Sequence, residues 1–442
     1  MILADLVNIC NGEIINKCEL GNHRIKKIKL NSQEVKKGDL FIALKGIKYD
    51  GHDFILDVIK NGAKAVIVER DINLKADIPI IKVENTYNCL YDIAKYNRSL
   101  YNIPLIAVTG SVGKTTTKDL IALILGQKYK VLKSQGSDNN HIGVPKTLFN
   151  LNNHYEMIVL EIGMNHLGEI STLSNVCQPN VALITNIGTS HIGNLGSKVK
   201  ILRAKREILD GMSDGKLIVN GDDKYLKIIK SENVSIVNCG TKKGNKLVAY
   251  DIETTFKKTT FKIKLDREYK ITFNVPGRHL VNNVIMAIQV GLLYNVPIDL
   301  IIKAVGMYKT GDKRMNVKVL RKNNILIEDC YNSSYESLVG VVELIKNKPL
   351  NKIFILGDVL ELGKFSKKIH KKIGSYLDNI NNKTVLLVGN EMKNIKRKFI
   401  HFPDNQSLIS YLKEMDLSNS LILVKGSRAM RLEEVTDYLK QI

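Results

Sequence analysis

The chain has 442 residues, 44% of them hydrophobic and 25% charged, a composition that excludes a disordered chain and implies about three domains at roughly 150 residues each. No apolar run is long enough for a membrane-spanning helix. The formal net charge of +22 invites nucleic-acid binding, but lysines spread along the whole length among Asn and Ile instead of clustering with arginine. That pattern predicts no nucleic-acid partner; the surplus charge favours solubility and draws in anionic substrates. The start, MILADLVNICNGE, carries Asp5 where a secretory signal needs positive charge, and six scattered cysteines contain no C-x-x-C pair. The expected location is therefore cytoplasmic, without a disulfide framework or a zinc site.

In chain order, residues 1–100 alternate short apolar runs (GDLFIAL, 38–44; AKAVIVE, 63–69) with a helical pattern around Phe54 to Asn61, predicting a small mixed α/β domain. A boundary falls near Tyr101-Asn102-Ile103-Pro104, because proline disfavours helix in the residue before it. Residues 101–311 open with IPLIAVTG (103–110), a Gly-rich turn and the helical KTTTKDLIALILG. MIVLEIG (157–163), VALITNIG (181–188) and KLIVNGDD (216–223) follow, alternating with helices as in a parallel, doubly wound sheet. Lys246 to Pro276 alternates like antiparallel strands, and Arg278 to Tyr294 reads as helix. Residues 312–442 repeat the strand–helix alternation at 325–332, 352–358, 384–390 and 421–427, predicting a second, Rossmann-like α/β domain.

TGSVGKTT (109–116) sits between a buried strand and an amphipathic helix, the setting of a phosphate loop. Glycines Gly110 and Gly113 let backbone N–H groups close on phosphate oxygens beside Thr109, Ser111 and Thr116, and the helix N-terminus adds positive dipole. Lys114 is placed to bridge the β- and γ-phosphates, and the Thr115 hydroxyl to ligate Mg²⁺. Val108 stands where the usual first glycine belongs. Such a loop says that a nucleoside triphosphate is used, not what for. Glu161 and His191 follow predicted parallel strands, at the ends where open α/β sheets bind ligands; His191 reads either as a metal ligand or as a structural histidine. Lys205, among Arg203, Arg206 and Glu207, reads by composition as part of a solvated face.

Taken together, TGSVGKTTT, DNNHIGVP (138–145), LEIGMNHLGEI (160–170), NIGTSHIGNLGS (186–197), AKREI (204–208) and GRHLVNN (277–283) resemble the Mur ligase family, ATP-dependent amide-forming enzymes of peptidoglycan synthesis. The resemblance covers essentially the whole chain. GDLFIALKGIKYDGHDF (38–54), EDCYNSS (328–334), LGDVLELGKFSKKIH (356–370) and VKGSRAM (424–430) are similar to the member that adds D-alanyl-D-alanine to UDP-N-acetylmuramoyl-tripeptide. The Asp-Asn-Pro-Arg motif of the diamino-acid-adding relative is absent. Another amino-acid ligase of the family is the nearest alternative, and a basic, nucleic-acid-associated P-loop ATPase a more distant one.

The resemblance implies a UDP-sugar domain, an ATP domain and a C-terminal domain that binds the amine and closes on ATP, in a monomer. It puts Lys114 and Thr115 on ATP and Mg²⁺, Glu161 and His191 on metal ions, and Lys205 at a position that carries a carbamate. Asn283 lies near adenine, Arg314 near the phosphates, and Asp329 on the ribose with Asn332 beside it. Asn139 and Asn140 face substrate, and Ser32 meets the uridine nucleotide. Three places depart from the common pattern: Asn31-Ser32-Gln33 for Asp-Ser-Arg, Ser137 for Asn, and Ser334-Tyr335 for Asn-Pro. The implied chemistry needs no protein nucleophile, because a substrate carboxylate attacks the γ-phosphate and an amine then displaces phosphate from the acyl phosphate.

Overall fold

A computed structural model describes residues 2–16, 18, 24–136 and 138–442. Four sheets form among these residues. The first has five strands in the order Glu13–Ile14, Ile80–Lys82, Ala65–Val68, Leu40–Ile42 and Ile28–Lys29; only its first pair is antiparallel. The helix Thr86–Ser99 then carries the chain onward. Its buried Arg98 donates to the carbonyls of Cys177, Tyr101 and Ile103, while Asn97 donates to that of Leu148. These bonds rivet the segment before Pro104 to the ends of the helices Gly143–Leu148 and Glu169–Cys177.

That sheet has seven parallel strands: Leu247–Val248, Ser235–Gly240, Lys216–Asn220, Val181–Ile184, Leu105–Thr109, Met157–Glu161 and Val131–Lys133. Leu105–Thr109 is a run of apolar and β-branched side chains buried at every position, which suits a strand covered on both faces. Each fully buried Leu or Ile there contributes about 1.5–3 kcal/mol relative to exposure. The helices Lys114–Leu125 and Val281–Leu293 pack against each other beside the sheet. Chain order reverses between Leu105–Thr109 and Val181–Ile184, and this switch point opens a crevice beyond their carboxyl ends.

The expected antiparallel segment is present from Tyr250 onward, as Tyr250–Thr254, Thr259–Lys264 and Glu268–Phe273. Leu247–Val248 departs from that expectation: it extends the parallel sheet beside Ser235–Gly240. The last sheet orders Asn316–Val319, Ile325–Glu328, Ser420–Lys425, Asn351–Gly357, Lys383–Val388 and Ile400–Phe402. It is parallel except for its first pair, a hairpin at one edge. No helix among the described residues is long and apolar enough to cross a membrane.

Candidate active site

The loop after Leu105–Thr109 lies in the crevice and is tied to its neighbour. Ser111 and Val112 donate backbone N–H groups to the carbonyl and side-chain oxygens of Asn186, and Thr185 and Asn186 donate to the Val112 carbonyl. Gly110 has φ +147°, and a Cβ there would lie 1.8 Å from Oγ1 of Thr185. Gly113 has φ +84°, and its Cβ would lie 2.4 Å from the Asn283 amide. These two approaches, not a glycine at Val108, demand the motif's glycines; Val108 is a buried strand residue paired with Glu161 and Leu183. The helix Lys114–Leu125 has no side-chain N-cap, so its first-turn N–H groups are available to an anion. Lys114 Nζ donates to the Gly110 carbonyl at 3.1 Å. Burial, reinforced by Arg314, lowers its pKa against the opposing pull of Glu161 and Glu361.

Two adjoining cavities meet at this loop. One, of about 540 Å³, lies between the seven-stranded and six-stranded sheets and is lined by Ser111, Gly113, Lys114, Thr115, Thr116, Asn139, Glu161, His191, Asn283, Arg314, Asp329 and Asn332. The other, of about 420 Å³, shares Lys114, Asn139 and His191 and runs past Asn140 and His141 to Tyr91 of the first unit. Most of the site residues expected from the sequence thus converge. Thr109, Gly110 and Lys205 do not line either cavity: Thr109 ends its strand with the side chain fully buried, Gly110 faces Thr185, and Lys205 is buried. Ser32 lies apart from both cavities, in a turn where Asn31 Oδ1 accepts from Gln33 N, a role asparagine fills as well as aspartate. Ser137 lies outside the described residues.

Glu161 is 2% exposed. Its Oε1 accepts from the Asn139 amide at 2.7 Å, whereas its buried Oε2 has no hydrogen-bond partner among the described residues. An orphaned carboxylate oxygen facing a phosphate loop fits a cation. Asn140 accepts from the N–H groups of Ile142 and Gly143 and so shapes the turn that presents Asn139. His191 has φ +61°, and its Nδ1 lies 3.0 Å from Oε2 of Glu361 in the C-terminal unit. Arg314 stacks over Tyr331, 3.9 Å from the ring centroid.

Lys205 overturns the solvated-face reading, being 1% exposed. In the helix Lys198–Arg206 it shares a buried face with Ile201 and Ala204, which Ile208 continues one turn on. Burial, and secondarily the charge of Lys114, pushes its amine well below the usual lysine range, against the pull of Glu161. The apolar phase at 201, 204 and 208 was the available signal; the neighbouring charges masked it.

Sequence reasoning also passed over three charged residues. Lys425, 1% exposed, pairs its Nζ with Asp329 Oδ2 at 2.5 Å and donates to the Asn332 carbonyl, fixing both residues at the cleft. Glu336 Oε2 accepts from the N–H and hydroxyl of Thr189, and Oε1 from Lys198. Burial alone would raise Glu336, but these bonds hold its pKa below the usual value. Glu361 is the third. Lys425 and Glu361 sit in motifs already singled out, VKGSRAM and LGDVLELG; Glu336 carried no signal.

Comparison with known proteins places this geometry. Residues 24–98 match the Mur ligase family catalytic domain, 108–291 the Mur ligase middle domain, and 313–428 the Mur ligase glutamate ligase domain. The UDP-N-acetylmuramoyl-tripeptide–D-alanyl-D-alanine ligase of Buchnera aphidicola subsp. Baizongia pistaciae is 32% identical, over 99% of this chain and 97% of its own. Crystallographic MurF from Acinetobacter baumannii superposes with a TM-score of 0.93 at 28% identity, covering 100% of this chain and 98% of that one. MurF from Thermotoga maritima in complex with ADP gives 0.86 at 28% identity, covering 94% and 97%.

Proposed function

The chain belongs to the Mur ligase family, and from that premise we propose that it joins D-alanyl-D-alanine to UDP-N-acetylmuramoyl-tripeptide in peptidoglycan precursor synthesis. The products are UDP-N-acetylmuramoyl-pentapeptide, ADP and phosphate. One observation carries the reading for this chain. The phosphate loop, the orphaned oxygen of Glu161 and His191 border a cleft that continues as a second cavity toward the first unit. That layout lets a carboxylate arriving through the second cavity meet the γ-phosphate of ATP.

In the first step an oxygen of the substrate carboxylate forms a bond to the γ-phosphorus while the bond to the ADP oxygen breaks, leaving an acyl phosphate. Lys114 and Arg314 neutralise charge on the transferring group, and positioning supplies most of the rest. The amine of D-alanyl-D-alanine then attacks the acyl carbon, phosphate leaves, and a proton is lost from nitrogen. Asn283, Asp329 and Asn332 hold the adenosine, and Asn139 and Asn140 the acceptor. Ser32 marks a separate uridine contact in the first unit. We assign residues 1–100 to the UDP-sugar, 101–311 to ATP, and 312–442 to the amine and to closure over ATP, in a cytoplasmic monomer.

Thr115 and Glu161 would hold Mg²⁺, since Glu161 offers a free buried oxygen; the resemblance adds His191 and Lys205 for a second ion. Such ions supply charge neutralisation for the phosphates and the attacking carboxylate. Among the described residues no three His, Cys, Asp or Glu side chains converge as a metal group, so a carbamate on Lys205 would add the missing anionic donor. Its depressed pKa supports this: a neutral amine adds to CO₂, releasing one proton.

Phosphate release from ATP with UDP-N-acetylmuramoyl-tripeptide, with and without D-alanyl-D-alanine, tests the function. Release that requires both, with a pentapeptide product by mass, is expected. ATP binding without turnover would redirect the assignment to another amine, found by screening against the same acceptor.

A further inference from the structure

The segment carrying His191 is held within its own unit, by Asp223 on Ile187 N and by Ser111 on Gly188 N and the Ser190 hydroxyl, and also from the C-terminal unit. At one end Glu336 of the C-terminal unit accepts from Thr189 N at 2.9 Å, from its hydroxyl at 2.7 Å, and from Lys198 Nζ at 2.9 Å. In the middle, the Glu361 carbonyl accepts from Gly193 N at 3.1 Å and its carboxylate lies 3.0 Å from His191 Nδ1. Gly193 sits in the helical turn Ile192–Leu195 without a positive φ, so its own conformation does not require glycine. The close approach does. A Cβ at Gly193 would lie 2.7 Å from the Glu361 carbonyl oxygen, 2.7 Å from Gly363 N and 2.8 Å from the Leu362 carbonyl carbon, all backbone atoms that cannot swing aside. Reciprocally, a Cβ at Gly363 would lie 3.0 Å from the Gly193 Cα. Glu361 itself adopts φ +62°, a conformation a non-glycine residue takes only when its surroundings impose it. The turn is anchored in its own unit by Ser427, whose hydroxyl accepts from Leu360 N and whose N–H donates to the Asp358 carbonyl.

We infer that Glu361 is a positioning residue for phosphoryl transfer, and that with the Gly193–Gly363 contact it forms a latch through which docking of the C-terminal unit fixes His191. This rests on the ligase reading above. The Glu361 carboxylate lies beside Nδ1 at ion-pair distance but without hydrogen-bond alignment in this structure; turned onto Nδ1 it would fix the ring with Nε2 toward the cleft, as a carboxylate does behind a liganding histidine. The phosphate loop needs no such partner. The phosphates can therefore seat on the loop before docking, whereas the adenosine contacts of Asp329 and Asn332 and the transfer itself wait for it, which keeps ATP from being spent before the amine-binding unit is in place.

The test uses the full chain as Gly193→Ala, Glu361→Gln and Glu361→Asp, with Lys371→Ala, an exposed residue of the helix Ser366–Asp378, as control. Four readouts are taken: affinity for a fluorescent ATP analogue, kcat and KM for the ligation, the radius of gyration with ATP analogue and both substrates, and hydrogen exchange of residues 189–198. Gly193→Ala should fold, since alanine favours helix over glycine. It should fail to compact, exchange faster in 189–198, and lose about 100-fold in kcat, the scale of a misplaced group. Glu361→Gln should compact normally yet lose about 10- to 100-fold in kcat at unchanged KM for ATP, as for carboxylates behind metal ligands, and Glu361→Asp should recover part of it. The latch is refuted if Gly193→Ala compacts and turns over like wild type, if Glu361→Gln keeps full kcat, or if its defect lies in ATP affinity. Should wild type itself not ligate D-alanyl-D-alanine, the ligase reading fails, while compaction and exchange still decide the latch.

Discussion

Two loops leave neighbouring strands of the seven-stranded sheet and meet in one cleft, yet they are built differently. The loop 109–116 is tied by Thr185 and Asn186 of its own unit, and its glycines are required by contacts within that unit. The segment 187–198 is tied to Ser111 and Asp223 of its own unit and, unlike the phosphate loop, also to Glu336 and Glu361 from the C-terminal unit. A loop tied within its own unit keeps its shape in any arrangement of the units, whereas a segment held also from outside is completed only by docking.

Substitutions that break one loop while sparing the other sharpen this contrast. The largest effect belongs to Lys114→Ala, which should cost roughly 10²–10³ or more in kcat, about 3–4 kcal/mol of lost electrostatic stabilisation; near-normal phosphate release would refute the loop assignment. Lys205→Ala should be comparably inactive but partly restored by added short carboxylates such as formate or acetate, because they replace the proposed carbamate. Full activity without rescue would return Lys205 to a packing role.

Gly110→Ala should act first on the phosphate loop. Its Cβ must displace Thr185, so ATP-analogue affinity should fall about tenfold, with about 1–3 kcal/mol of strain. The radius of gyration without ligands should not change; scattering that showed altered docking would blur the distinction drawn here.

The smallest expected effect concerns a contact between units at the edge of the same cavity. Burial lowers His279 to a pKa of about 4 from 6.5, with Asp329 opposing and Lys425 assisting, and the helix Tyr335–Ile345 packs against it at Gly340. Between pH 6.5 and 4 the unfolded chain binds the extra proton, so stability is full above 6.5 and lost as pH falls toward 4. Wild type should lose about 1–3 kcal/mol more than His279→Asn across that window, read from urea midpoints. Equal slopes would mean that His279 titrates normally.

Much of the site was legible because it is local. TGSVGKTT declares strand, turn and helix within eight consecutive residues, and its backbone chemistry needs nothing distant beyond a neighbouring strand. Glu161 followed from its place at a strand end. Lys205 was hidden by a charged neighbourhood although its helical phase was visible, and Leu247–Val248 was absorbed into an antiparallel pattern because two residues cannot reveal their partner. Thr109 belongs to the motif yet turns into the core, since side chains alternate along a strand and only the sheet decides which face is covered.

Read alone, the sequence determined the α/β class, the family and the chemical groups available, because periodicity and contiguous motifs encode them. The tertiary structure decided which groups share a cleft. Glu361 stands 170 positions from His191 in sequence, and Lys425 stands 96 from Asp329; nothing local to either residue predicts its partner. Long-range partnership depends on how two separately folded sheets dock, and on glycines that permit the approach.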